Sequence, residues 1–226
     1  MKKFMAAVII ISLMLFTLPG HAVDNKWTRL VDESGKILDE IQQMPDQGIP
    51  EDLMRNCSAI AIFPSTISAG FIIGGKYGQG IIMVRDEKKK TWSAPAIFTI
   101  AGGSLGWQIG GQATDFVLLI MNRRSVDGIL QGKFKLGADA SVAAGPVGRA
   151  AEASTDVQLK GGILSYSRSR GLFAGVKLEG AVITQQWTGD EELYGKKLSA
   201  REILLENKAK MPPSAGSILK VLDKYK

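Results

Sequence analysis

The sequence predicts an α+β fold, a glycine-rich antiparallel sheet with flanking N- and C-terminal helices, and three observations predict it. From Ala59 to about Thr184, apolar runs of five to eight residues rich in Ile, Val and Phe alternate with glycine pairs and short polar breaks, the texture of strands joined by hairpin turns. Before that stretch, Trp27, Leu30, Val31, Ser34, Ile37, Leu38 and Ile41 recur at spacings of three and four, a helical period. After Gln186 the helical pattern returns. A sheet bracketed by helices is the α+β arrangement.

Each element follows in order. Lys2 and Lys3 precede an uncharged apolar stretch, Phe4 to Leu18, and then Gly20-His21-Ala22, which together read as a secretory signal peptide over residues 1–22 with cleavage after Ala22. The stretch is shorter than the roughly 20 residues of a membrane-spanning helix. No cysteine stands at the cleavage region, so a lipoprotein anchor is not expected. The expected location is therefore exported, in the periplasm or cell envelope of a bacterium.

Residues 23–48 form an N-terminal amphipathic helix, with Lys26, Arg29 and Lys36 set against Asp24, Asp32, Glu33, Asp39 and Glu40 on its polar face. That face is net acidic, whereas membrane-surface helices place Lys and Arg there, so the helix is expected to pack on its own domain. Pro45 and Gly48 break it. Pro50 then starts a short helix at the first helical position, with Glu51 and Asp52 complementing its positive end.

Residues 49–194 form the main domain. Candidate strands are Ala59 to Phe63, Phe71 to Ile73, Gly80 to Arg85, Trp92 to Thr99, Phe116 to Met121, Phe134 to Val142, Asp156 to Leu159, Ile163 to Arg168 and Leu172 to Ile183. "RDEKKKT" is the polar turn between the third and fourth. A short helix is expected from Ser125, as its N-cap, to Gly132. "IAGGSLGWQIGGQATD" reads equally as strand-loop-strand or as a packed helix, because Gly102, Gly106 and Gly110 are four apart. Residues 195–226 are a C-terminal helical extension. Ser199 and Glu202 have capping-box spacing, and Pro212 and Pro213 separate "AREILLENKAK" from a final amphipathic segment.

Composition removes several chemistries. The sole histidine, His21, lies in the leader, so the mature chain has none, and a Ser-His-Asp triad, a Cys-His pair or a His-based metal site is excluded. The sole cysteine, Cys57, opens an apolar strand and is expected to be a buried hydrophobe. Gly74-Gly75-Lys76 is followed by Tyr77 rather than Ser or Thr, which rules out a P-loop. Asp86, Glu87, Asp190, Glu191 and Glu192 sit in charge-rich stretches and are expected to be solvated; Asp115 and Asp139, flanked by small or apolar residues, are better candidates for buried, hydrogen-bonded acids. No catalytic residue, metal or cofactor is expected.

Without its leader the chain carries 26 basic and 22 acidic residues, a net charge of +4. Its basic residues are not interleaved with aromatics, so nucleic acid is not an expected partner. They form local sets on the turns: Arg85, Lys88, Lys89 and Lys90; Arg123 and Arg124; Lys133 and Lys135; Arg168 and Arg170; Lys196 and Lys197. Turns that share one end of the sheet would add their charges, at about 1 kcal/mol per cation near an anionic bilayer. Arg168 and Arg170 stand two apart and project from one face of a strand, where they suit phosphate or protect a sheet edge from aggregation.

"AIAIFPSTISAGFIIGGKYGQGI", "WSAPAIFTIAGGSLGWQIGGQATDFVLLIMN", "KFKLGADASVAAGPVGR" and "ILSYSRSRGLFAGVKLEGAVI" resemble, in order, the motifs of the SYLF domain family over roughly Ile49 to Tyr194. The "AGP-x-G" turn at Ala144 to Gly148 and the "YS-x-S-x-GLFAG-x-x-LEG" block at Tyr166 to Gly180 carry the resemblance. It implies a lipid-binding module, with phosphoinositide and anionic phospholipid binding in some members and actin binding in some fungal ones. For an exported bacterial protein the expected partner is an anionic phospholipid of the membrane surface, such as phosphatidylglycerol or cardiolipin. The expected head-group contacts are Arg85, Lys88, Lys89, Lys90, Lys133, Lys135, Arg168, Arg170 and Lys177. The alternative is a protein-interaction or structural module of the envelope whose partner is unknown.

Overall fold

The computed structural model describes residues 25–44, 47–106, 112–148, 162–169 and 171–226, with the side chains of 70–73, 104–106 and 112 left aside. The leader, the expected strand Asp156 to Leu159 and Arg170 lie outside the described residues.

Helix α1 (Lys26–Gln42) starts where the side chain of Asn25 accepts the Trp27 and Thr28 amides, at 3.0 and 2.9 Å, while the Thr28 hydroxyl accepts the Asn25 amide in return. Such a cap is worth about 1 kcal/mol. Its apolar stripe, Trp27, Val31, Leu38 and Ile41, is buried, as the net acidic outer face requires. Helix α2 (Glu51–Asn56) follows, with Pro50 one position earlier than expected, as its N-cap.

The sheet contains nine strands among the described residues: β1 (Ala59–Asp86), β2 (Thr91–Trp92), β3 (Ala96–Gly106), β4 (Gln112–Ile120), β5 (Phe134–Lys135), β6 (Val142–Ala144), β7 (Ile163–Ser169), β8 (Leu172–Gly175) and β9 (Val182–Gln185). The order is β5-β9-β3-β1-β4-β7-β6, with β2 on β1 and β8 on β7. All pairs are antiparallel except β6 with β7. The stretch read as helix or strand-loop-strand is strand on both sides, the end of β3 and the start of β4.

Three expected strands merge into β1. Its first part pairs with β4 through Ala59–Ile120 to Ser68–Gln112, and its last part with β3 through Ile72–Gly106 to Ile82–Ala96. The two parts lie against each other: the Arg85 amide donates to the Ser58 carbonyl at 2.8 Å, and a Cβ on Gly80 would stand 2.1 Å from the Ile62 oxygen. Only a residue without a side chain permits that approach. Two expected strands are instead interrupted, because the chain turns at 136–141 between β5 and β6 and at 176–181 between β8 and β9.

Both faces of the sheet are covered. Ile60, Ile62, Val117 and Tyr166 point into a core shared with α1 and a C-terminal helix, whereas Ala59, Ala61, Phe63 and Leu118 point into a second core. Double burial explains why the strands read as continuous apolar runs rather than alternating ones. Helix α3 (Arg123–Ile129) is capped by Asn122, whose side chain accepts the Ser125 amide at 2.8 Å; the expected cap, Ser125, is a buried residue inside it. Helix α4 (Trp187–Tyr194) precedes α5 (Ala200–Leu204), where the Ser199–Glu202 capping box forms as expected, and α6 (Gly216–Leu222) packs on α1.

Candidate anion-binding site

The turn between β1 and β2 is organised by Asp86, whose Oδ1 accepts the Lys88 and Lys89 amides at 3.0 and 3.1 Å. Those bonds hold the Asp86 carboxyl below its ordinary range. Asp86 Oδ2 also stands 3.9 Å from Lys89 Nζ, an exposed pair, and Lys88, Lys89 and Lys90 are exposed at the tip. Lys90 takes a φ of 54°, which closes the turn.

Arg85 departs from the sequence expectation. It is only 5% exposed, with Nη1 donating to the Tyr225 carbonyl at 2.9 Å, Nη2 to the Met54 carbonyl at 2.6 Å, and its guanidinium 4.6 Å from the centroid of the Trp92 ring. A residue that fastens the C-terminal segment and α2 to the sheet cannot also project into a head-group layer. Its charge nevertheless matters, because no carboxylate pairs with it among the described residues. Arg85 Nε and Trp92 Nε1 are both buried without a hydrogen-bond partner. A buried cation satisfied only by carbonyls and a ring face leaves a positive field that water does not screen.

A recess of about 530 Å³ lies against Arg85 and is lined by Val84, Trp92, Arg123, Leu204, Leu205 and the turn, whose Asp86 and Glu87 bring two carboxylates to it beside Lys88 and Lys89. Lys88, Lys89 and Arg123 therefore share one recess with Arg85. Arg123 faces only a distant carboxylate, Asp127 at 3.9 Å on an exposed helix turn, a pair worth little. Arg123 was recognised in the sequence as part of a basic set but not tied to the Lys88–Lys90 turn, and Trp92, Leu204 and Leu205 carried no signal at all. Their meeting depends on where α3 and α5 pack.

The other expected contacts are not brought there. Arg168 lies toward the opposite end of the sheet, in register with Asp115, where Nε and Nη2 both reach Asp115 Oδ2 at 2.9 Å and Nη1 donates to Glu40 of α1. With two carboxylates on one guanidinium, it joins helix to sheet and has no charge to spare for phosphate. Lys177 pairs with Glu179 at 2.6 Å. Lys133 and Lys135 are exposed beside the β9 edge, away from the recess. The basic turns therefore do not converge on one end.

Among the acids, Asp115 is partly buried as expected, and its Oδ1 also accepts the Ser65 amide at 2.8 Å. Asp139 is exposed and caps its turn by accepting the Lys135 amide at 2.6 Å, because the small residues around it form a surface turn rather than a core. Asp190, expected in solvent, is fully buried: Oδ1 accepts the Ile97 amide and Oδ2 the Gln185 side chain, each at 2.7 Å, and burial pushes its carboxyl up to about 7. Cys57 is buried as expected. Desolvation lifts its thiol to about 11 despite the nearby Arg85, so it is a poor nucleophile. No group of three or more His, Cys, Asp or Glu among the described residues could hold a metal ion.

The family motif residues lie in and around β7 and β8. Tyr166 stacks on Phe173 with ring centroids 5.4 Å apart, and its hydroxyl donates to the Pro146 carbonyl at 3.3 Å. A Cβ on Gly175 would sit 2.0 Å from the Gly145 oxygen, so the "AGP-x-G" turn and the "GLFAG" strand touch backbone to backbone.

The family model described as "Ysc84: Las17-binding protein actin regulator" matches residues 101–225. The chain is 35% identical over 181 residues to Protein YSC84 of Saccharomyces cerevisiae, which covers 79% of this chain and 38% of that protein. It is similarly 35% identical over 181 residues to LAS seventeen-binding protein 3 of the same yeast, covering 79% and 39%. To the human SH3 domain-containing YSC84-like protein 1 it is 32% identical over 199 residues, covering 85% and 57%. The chain thus spans about two fifths of the length of the yeast relatives it matches.

Proposed function

We propose, from the premise that the chain belongs to the Ysc84 family, the family of SYLF domains, that it binds anionic phospholipid head groups at the β1–β2 turn without transforming them. The observation that supports this reading is the recess that Lys88, Lys89 and Arg123 line together with Asp86, Glu87 and a buried Arg85 that has no carboxylate partner among the described residues. An anionic oxygen entering there meets several cations, one of them desolvated, over the apolar surface of Trp92, Leu204 and Leu205. Lys90 adds to the field at the tip. The mechanism is electrostatic adsorption with head-group insertion: about 1 kcal/mol per exposed cation, so Lys88, Lys89, Lys90 and Arg123 together give a useful affinity while none does alone. Export by the leader at residues 1–22 would make phosphatidylglycerol and cardiolipin the available ligands. Arg85 acts through its field, and Arg168 has no part in binding.

Sedimentation of the purified chain with phosphatidylglycerol or cardiolipin vesicles tests the reading. Binding is expected at low salt, should weaken as salt rises, and should be absent with phosphatidylcholine. Indifference to anionic vesicles in dilute buffer would refute it.

A second reading, a protein-interaction module, draws on the far end of the sheet. Ile67, Tyr77 and Leu172 are more than half exposed there, and the family description names Las17 binding, as does the name of one yeast relative, LAS seventeen-binding protein 3. Loss of a specific protein partner on changing Ile67 and Leu172 to Ser, in a chain that ignores vesicles, would favour it.

A further inference from the structure

A second recess, which shares helix α5 with the first, has the makings of a ligand site. A recess of about 190 Å³ lies between the C-terminal end of α3, strand β9 and the starts of α4 and α5. One wall is Trp187, a large aromatic left 46% exposed. Around it stand Gln131, Thr184 and Arg201, whose side chains have no hydrogen-bond or ion-pair partner among the described residues. Among the described residues no carboxylate lines the recess, and Lys197 Nζ lies 5.8 Å from the centroid of the Trp187 ring.

The floor is fixed in advance. Gln185 donates from Nε2 to both Asp190 and the Leu198 carbonyl and accepts the Ala200 amide at Oε1, while Ser199 is committed to Glu202. No group of the floor must therefore reorganise when a ligand arrives, which lowers the entropic cost of binding. An exposed indole face takes an apolar ring face well. An amide, a hydroxyl and a guanidinium beside it supply both donors and acceptors for ring hydroxyls, and the guanidinium adds a forked partner for a carboxylate. The volume has room for one six-membered ring and not for an extended ligand.

We propose that this recess binds a single pyranose ring bearing a carboxylate, a uronate unit, stacked on Trp187 with its carboxylate on Arg201 and its hydroxyls on Gln131 and Thr184. This does not depend on the phospholipid reading. Calorimetric titration of the full chain with glucuronate, glucose and acetate tests it. Glucuronate should bind with a Kd on the order of 1 mM, a weak but measurable affinity. Glucose should bind about tenfold more weakly and acetate not at all. Trp187→Ala should weaken both sugars at least tenfold, and Arg201→Gln should bring glucuronate down to the glucose level; both positions are exposed, and an unchanged circular dichroism spectrum verifies folding. Glucuronate heats equal to buffer, glucuronate affinity unchanged in both variants, or acetate binding as well as glucuronate would each overturn the proposal. Vesicle binding should be the same in these variants as in the parent, so the lipid and sugar sites can fail separately.

Discussion

The two ends of the sheet each hold an arginine whose side chain is largely out of water, and they treat it in opposite ways. At the Tyr166–Phe173 end, Arg168 meets Asp115 and Glu40, and the family motif packs around it backbone to backbone. At the β1–β2 end, Arg85 meets two carbonyls and a ring, with no carboxylate partner among the described residues, and Lys88, Lys89 and Arg123 line the recess beside it. A compensated charge is mortar; an uncompensated one is a standing field. The contrast separates the part of the family pattern that builds the domain from the part of this chain that has charge to offer a ligand.

The sharpest way to break the comparison is at the motif end. Gly175→Ala places a methyl group 2.0 Å from the Gly145 oxygen, neither of which can retreat without opening β8. The expected loss is about 3 kcal/mol or more in urea unfolding. A loss below about 1 kcal/mol would mean that the motif glycines are not there for packing.

Reversing Lys88, Lys89 and Lys90 to Glu should cost vesicle binding at least about 3 kcal/mol, more than a hundredfold, since each change removes about 1 kcal/mol of attraction and adds repulsion. Stability should hold, since the three side chains are exposed. Retained binding would move the lipid site elsewhere.

Arg168→Gln should do the reverse, leaving vesicle binding intact while lowering stability by about 1–2 kcal/mol, because Asp115 loses its partner at only 15% side-chain exposure. Weaker vesicle binding with unchanged stability would restore Arg168 to the site.

A pH slope from Asp190 probes the same contrast from the acid side, since this buried acid, like Arg85, has no opposite charge among the described residues. Burial raises its carboxyl from 3.8 to about 7, while the Ile97 amide and Gln185 pull the other way. Because the folded state holds the proton more tightly than the unfolded one, its contribution is greatest below about pH 4, is lost as pH rises to about 7, and is flat above that. Asp190→Asn should remove the slope. It also turns an N–H toward either Ile97 or Gln185, so its melting temperature should fall at every pH. A slope that survives in the variant would place the titration on another group.

How far this could be read in advance differs by region. The period of α1, the Ser199–Glu202 cap and the glycine-punctuated sheet are local patterns, and each is in the structure. The three strands that merge into β1 were legible as strands but not as one, because what joins them is pairing with β3 and β4, elements outside their own stretch of sequence. Of the expected head-group residues, Lys88, Lys89 and Lys90 stand as exposed turn cations, whereas Arg85 and Arg168 looked the same in the sequence and are taken up by the core and by carboxylates. Asp190 was hidden for the same reason, since a charge-rich neighbourhood says nothing about which of its members faces inward.

The sequence by itself determined the α+β class, the burial of Cys57 and the family, because composition, periodicity and contiguous motifs are properties of the chain alone. The tertiary structure decided which cations are free. Pairing across a sheet joins residues by register and not by proximity in sequence, so only the folded chain could give Asp115 to Arg168 and leave Arg85 without a carboxylate among the described residues.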